Sequence, residues 1–138
     1  MNNRLYSFLL LLLFVSCSKD TTTISAQSSV VSSTSLIPTT NRGYLIQHTY
    51  FTLSYSETNR QAEWVAYALT PASINGTQDR TDDFRIDPKV KSNPVGSGDY
   101  SGSGYDRGHL CPAGDMKLNL SSMSETFYMS NMSPQDPS

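Results

Sequence analysis

Two runs in which apolar and polar residues alternate limit what this chain can become. "YLIQHTYFTLSYS" (residues 44–56) and "AEWVAYALT" (62–70) are rich in Tyr, Thr, Phe, Leu and Trp. A period of two in such residues marks strands with one face buried. The first run reads as one half-buried strand, and "SETNRQ" after it reads as a turn. The two strands are therefore expected to pair as an antiparallel hairpin. In the second, Trp64, Ala66 and Ala68 share one face, and Val65, Tyr67 and Leu69 the other. Downstream, "ASINGTQDR" reads as a loop with a turn at Asn75-Gly76, and "FRIDPKV" as a short extended piece ending at Pro88. Residues 92–108 read as a Gly/Ser-rich loop, and "SSMSETFYMSNM" as the start of a helix with a Ser cap. Strands followed by a helix give an α+β class.

The hairpin begins only after a long lead. "MNNRLYSFLLLLLFVSC" places Arg4 before the apolar run Phe8–Val15 and ends in Ser16-Cys17. That is the layout of a secretory signal peptide over residues 1–16; the run is too short for a membrane-spanning helix, which needs about 20 apolar residues. With Cys17 closing it, the segment resembles a bacterial lipoprotein signal, although Phe14 stands where Leu is usual. The resemblance implies export and a lipid anchor at Cys17 on a bacterial cell membrane, on its periplasmic or cell-surface side. The Ser/Thr-rich stretch that follows has no sustained apolar period, so residues 17–42 read as the lipidated cysteine and a flexible linker. Residues 43–138 remain for one domain.

Charge sets a further limit. The chain has 10 Lys and Arg against 12 Asp and Glu, a net charge of −2. No global basic field steers it to nucleic acid, but Arg80, Arg85, Lys89, Lys91 and Arg107 form a local basic set. Cys111 is the only cysteine besides Cys17. It reads as a small buried thiol, because Pro112 beside it and the lack of a second nearby histidine leave it without a base.

The stretch that carries chemistry is "GYDRGHLCPAGD" (104–115), which holds one of only two histidines. Phosphodiester hydrolysis needs a base to activate water, cations for the charge gained by phosphorus, and usually a metal at the leaving oxygen. His109 can be the base, since imidazole titrates near neutrality. Arg107 and Arg80 offer planar forks for phosphate oxygens. Asn131 can position a water or a phosphate oxygen. A solvated loop histidine and a local Asp106–Arg107 salt bridge are the alternative readings of the same residues.

Taken whole, "YDRGHLCPAGDM" followed by "TFYMSNMSPQDP" resembles the non-specific DNA/RNA endonucleases of the ββα-metal group. Their marks are an Asp-Arg-Gly-His tetrad, then Pro, then Phe-x-x-(Ser/Thr)-Asn-x-x-Pro-Gln. "WVAYAL", "RTDDFRIDP" and "DYSGSGYDRGH" are similar to the same family, and the resemblance covers residues 43–138. It implies an α+β fold in which an antiparallel sheet carries an active-site loop leading to a helix. The function it implies is metal-dependent cleavage of DNA or RNA with low sequence specificity. His109 matches the general base and Arg107 the arginine near the scissile phosphate. Arg80 matches the upstream phosphate arginine, with Arg85 as the alternative. Asn131 matches the asparagine that supports the site, and Asp106 orients the loop. The implied cofactor is Mg2+ or another divalent cation. The family's metal-binding asparagine would fall just past Ser138, so the chain is expected to hold the N-terminal part of the domain, without its C-terminal part, and to be inactive as it stands. Two other classes remain open on sequence: a non-catalytic surface lipoprotein that binds a partner, and a phosphodiesterase acting on smaller phosphate esters.

Overall fold

The computed structural model describes residues 36–137. The signal segment 1–16, Cys17 and residues up to 35 of the linker lie outside the described residues. In chain order the elements are β1 (Tyr44–Gln47), β2 (Phe51–Ser56), β3 (Gln61–Tyr67), α1 (Pro71–Ile74), β4 (Asp106–His109), α2 (Leu120–Glu125) and β5 (Met132–Gln135). Short 3-10 turns occupy Ser97–Tyr100, Ala113–Asp115 and Met129–Asn131. The strands form a three-stranded sheet ordered β1-β2-β3 and a separate two-stranded ribbon, β4-β5, all pairs antiparallel. The class is α+β, as the sequence indicates.

The first alternating run is two strands, not one. The chain reverses at residues 48–50, where the His48 N–H donates to the Phe51 carbonyl at 2.9 Å. The reversal carries no Gly, Pro or Asn. It is held instead from α2, whose Glu125 carboxylate accepts from the Thr49 and Tyr50 backbone N–H groups and from the Thr49 hydroxyl. The β2–β3 hairpin forms as expected, with Phe51 opposite Tyr67 and Leu53 opposite Val65. Its register shifts at Ser54/Tyr55, so Glu63 is an extra, unpaired residue. This bulge brings Ala62 onto the same face as Val65 and Tyr67, three and five positions on, and opposite Tyr55. Phe51, Leu53, Tyr55 and Ala62 join Ile46, Cys111 and Met116 in the main core. The displaced Glu63 carboxylate accepts from the Ser54 hydroxyl and from the Arg42 backbone N–H, which ties the incoming chain to the sheet edge.

Two other segments differ from expectation. Residues 71–74, read as loop, form α1, because Thr70 and Ser73 make a reciprocal capping box and Pro71 stands in the first turn, where its missing N–H costs nothing. The cap of α2 is Asn119 and not a serine; its Oδ1 accepts from the Ser122 N–H at 2.9 Å. The tetrad is not loop either: Asp106, Arg107, Gly108 and His109 pair with Gln135, Pro134, Ser133 and Met132. At Gly108 a Cβ would lie 2.3 Å from Cγ of the exposed Gln135 side chain, which would have to move aside for any larger residue.

Candidate active site

His109 ends β4 and turns its ring onto two phenylalanines. Its ring centroid lies 4.9 Å from Phe127 and 5.8 Å from Phe84, both edge-on, and the two phenyl rings meet each other at 4.9 Å. The same pair of rings carries two arginines. The Arg80 guanidinium sits over Phe127 at 4.7 Å and that of Arg107 over Phe84 at 3.9 Å. Cation–π attraction of this kind fixes a guanidinium without using its hydrogen-bond donors. Arg80 donates through Nε to Asp82 at 2.6 Å. Among the described residues, no hydrogen bond engages the terminal nitrogens of Arg80 or any nitrogen of Arg107. Two forks are thus held in place beside an imidazole with donors unused.

This setting decides the protonation of His109. Burial of the ring, then the Arg80 charge and, more weakly, that of Arg107 pull its pKa down from 6.5 to about 4, against an opposing contribution from Asp82. The imidazole is neutral at physiological pH and can accept a proton. Its Nε2 is buried without a hydrogen-bond partner. A cleft of about 450 Å³ adjoins the site, lined by residues 76–80, Ala113, Gly114, Lys117 and Met123. Arg80 belongs to its lining and His109 does not.

The other expected residues divide. Arg85 faces elsewhere: its Nη1 donates to the Asp83 carboxylate and carbonyl and to the Ser124 carbonyl, and its guanidinium covers Tyr128 at 4.1 Å. Its charge is tied into the packing of α2, so Arg80 is the arginine that the fold brings to His109. Asn131 is fully buried and does not face the cleft. Its Oδ1 accepts from the Cys111 N–H at 2.8 Å, and its Nδ2 donates to the carbonyls of Cys111 and Thr126. With three of its four hydrogen-bonding positions spent on backbone and its side chain fully buried, it positions the chain just after His109 and has no donor left for a phosphate oxygen. Asp106 is exposed, and the Asp106–Arg107 ion pair of the alternative reading is absent among the described residues. Cys111 is a buried free thiol, and burial pushes its pKa up to about 12, which leaves it protonated and inert. No group of three or more His, Cys, Asp or Glu among the described residues could hold a metal ion.

Sequence reasoning missed a buried polar node centred on Asp87. His48 Nε2 and Asp87 Oδ2 lie 2.9 Å apart, and Ser130 Oγ donates to the same oxygen at 2.5 Å. The Lys89 N–H donates to Asp87 Oδ1 at 2.8 Å. The His48 ring stacks on Tyr128 at 4.9 Å. Burial alone would raise the Asp87 pKa, but these donors, led by His48, hold it below its ordinary value. The one signal in the sequence was that His48 keeps step with Ile46, two residues before it, and so shares its buried face.

A neutral imidazole flanked by two guanidinium forks is an arrangement for attack on an anionic ester. Comparison with known proteins agrees. Residues 32–138 match the family described as DNA/RNA non-specific endonuclease, and the chain belongs to that family. It is 42% identical over 102 residues to nuclease C1 of Cunninghamella echinulata var. echinulata, an alignment covering 71% of this chain and 40% of that protein. It is 40% identical over 89 residues to human mitochondrial endonuclease G, covering 63% of this chain and 30% of that one. Its fold resembles a chain in the crystal structure of an EndoG/EndoGI complex, with a TM-score of 0.65, 34% identity, and coverage of 72% of this chain and 42% of the other. The chain thus spans between a quarter and two fifths of the length of the curated relatives it matches. The ββα-metal fold expected from the sequence is the fold this likeness supports.

Proposed function

We propose that this protein hydrolyses phosphodiester bonds in DNA or RNA with low sequence specificity, using His109 as general base. The observation that carries the reading is the placement of a neutral His109 between the Phe-supported guanidinium groups of Arg80 and Arg107. In the proposed reaction the His109 imidazole takes a proton from a water. The water oxygen then bonds to phosphorus and the bond to the 3′ oxygen breaks; the departing oxygen takes a proton from solvent, and His109 returns its own to solvent. Arg80 and Arg107 bind the non-bridging oxygens, whose negative charge grows as water adds. A positioned base contributes about 10²–10⁴-fold, and donors aimed at developing charge contribute several kcal/mol. A divalent cation, Mg2+ in the first instance, would when bound neutralise charge at the leaving oxygen. Contacts to phosphate and not to base edges account for low sequence specificity.

The reading extends to placement in the cell: export, with a lipid anchor at Cys17. Cys17→Ser is expected to release the protein from the membrane fraction or to leave its precursor uncleaved; a wild-type protein already soluble and starting at another residue would contradict the anchor. For the reaction, supercoiled plasmid and a structured RNA are incubated with the full-length protein, with Mg2+ and with a chelator. Nicking of plasmid or cutting of RNA that the chelator abolishes supports the proposal. No cleavage of either at any divalent cation tested contradicts it.

A further inference from the structure

Alternation in an extended chain puts every second side chain on the same side. Going backwards from His109 along β4, the same-side positions are Arg107 and then Tyr105, which immediately precedes the strand. Tyr105 is 54% exposed, and with Arg107 it lines a hollow of about 270 Å³ whose other residues are Ser97, Tyr100, Ser101 and Asp106. A second hollow, of about 210 Å³, is also lined by both Tyr100 and Tyr105. Two aromatic rings therefore border the space beside the arginine assigned to the phosphate.

The loop that carries them is firmly built. Gly102 and Gly104 adopt positive φ (70° and 82°), which tightens the turn between the tyrosines. The Ser103 hydroxyl donates to the Tyr100 carbonyl at 2.9 Å and accepts from the Tyr105 N–H at 3.1 Å. Tyr100 packs on Val95, Met129 and Met132, and Asp99 beside it is gripped by both terminal nitrogens of Arg60. Tyr105 is left as an exposed ring on a fixed support.

We infer that Tyr105, with Tyr100 behind it, forms a stacking subsite for one unpaired nucleobase of the strand whose phosphate lies at Arg107. The inference rests on the proposed function, because the phosphate at Arg107 is what brings a base within reach. A hollow of this size falls just below the roughly 300–1,000 Å³ of pockets for drug-sized ligands, which suits one base. Every base has a π-face, so stacking adds affinity without sequence preference. A base that is paired and stacked within a duplex cannot enter, so the subsite favours single strands.

The test uses the full-length protein in EDTA, which separates binding from cleavage. Fluorescence anisotropy compares an end-labelled single-stranded 12-mer (about the site size of one binding module) with an abasic strand carrying the same phosphates. The wild type should bind the base-bearing strand about 5- to 150-fold more tightly, the range a single stacked base gives. Tyr105→Ala should erase that preference while leaving abasic affinity unchanged, and Tyr105→Phe should retain it. Equal binding of both strands by the wild type, with Arg107→Ala weakening both, overturns the stacking subsite and leaves the nuclease reading standing. A base preference that survives Tyr105→Ala, or an equal loss on both strands, also overturns it. Binding to neither strand overturns the subsite together with the reading on which it rests.

Discussion

His109 has its proton affinity set by where its ring lies: buried against Phe84 and Phe127, with two positive neighbours. All three influences disfavour the imidazolium. The acid limb of kcat/KM for cleavage should accordingly fall near pH 4 and not near 6.5; a limb near 6.5 would mean that the ring is more open than the fold makes it. The same depression bears on stability. The folded-state value lies below the unfolded one, so the contribution is fully present above about pH 6.5 and is lost as pH falls towards about 4. Asp87 is depressed as well, and its contribution persists above its ordinary value of 3.8 and disappears only in stronger acid. Asp87→Ala leaves His48, Ser130 Oγ and the Lys89 N–H without their acceptor. Each buried group left unpaired costs about 1–3 kcal/mol, so the urea midpoint should drop sharply. A midpoint close to wild type would show that the node carries little of the fold.

The β4–β5 ribbon and the segment after it depend on one carboxamide. Asn131 →Ala removes an acceptor from the Cys111 N–H and donors from two carbonyls, all buried. Each buried group left unpaired costs about 1–3 kcal/mol, so melting temperature and cleavage rate should fall together. A lower rate with unchanged melting would instead give Asn131 a direct part in the chemistry. How much of this was legible varies with how local its cause is. The β2–β3 hairpin was legible because alternation and turn lie within one continuous stretch. The split between β1 and β2 was not, because the reversal at residues 48–50 is held by Glu125, some 75 positions away. Likewise "DRGH" contains glycine and follows a Gly/Ser-rich run, so it reads as loop; only pairing with Met132–Gln135 makes it a strand. The capping box at Thr70 and Ser73 was local and could have been found.

Across the molecule, the site is where three distant pieces converge. β4 supplies His109 and Arg107, residues 80–84 supply Arg80 and Phe84, and the segment after α2 supplies Phe127. Motif spacing indicated His109 and Arg107 but could not choose between Arg80 and Arg85. The choice lies in packing, since Arg85 is spent on Asp83, Ser124 and Tyr128 while Arg80 rests on the ring that His109 touches. The direct measurement is the single-turnover rate of plasmid cleavage by the full-length protein and three variants at saturating Mg2+. His109→Gln should slow cleavage about 10²–10⁴-fold, with melting close to wild type because the ring's space stays filled. Arg80→Ala should lose comparable rate without loss of stability, whereas Arg85→Ala should lose stability first and rate little once folded. A His109→Gln enzyme within tenfold of wild type, or a folded Arg85→Ala enzyme slower than Arg80→Ala, would contradict the site described.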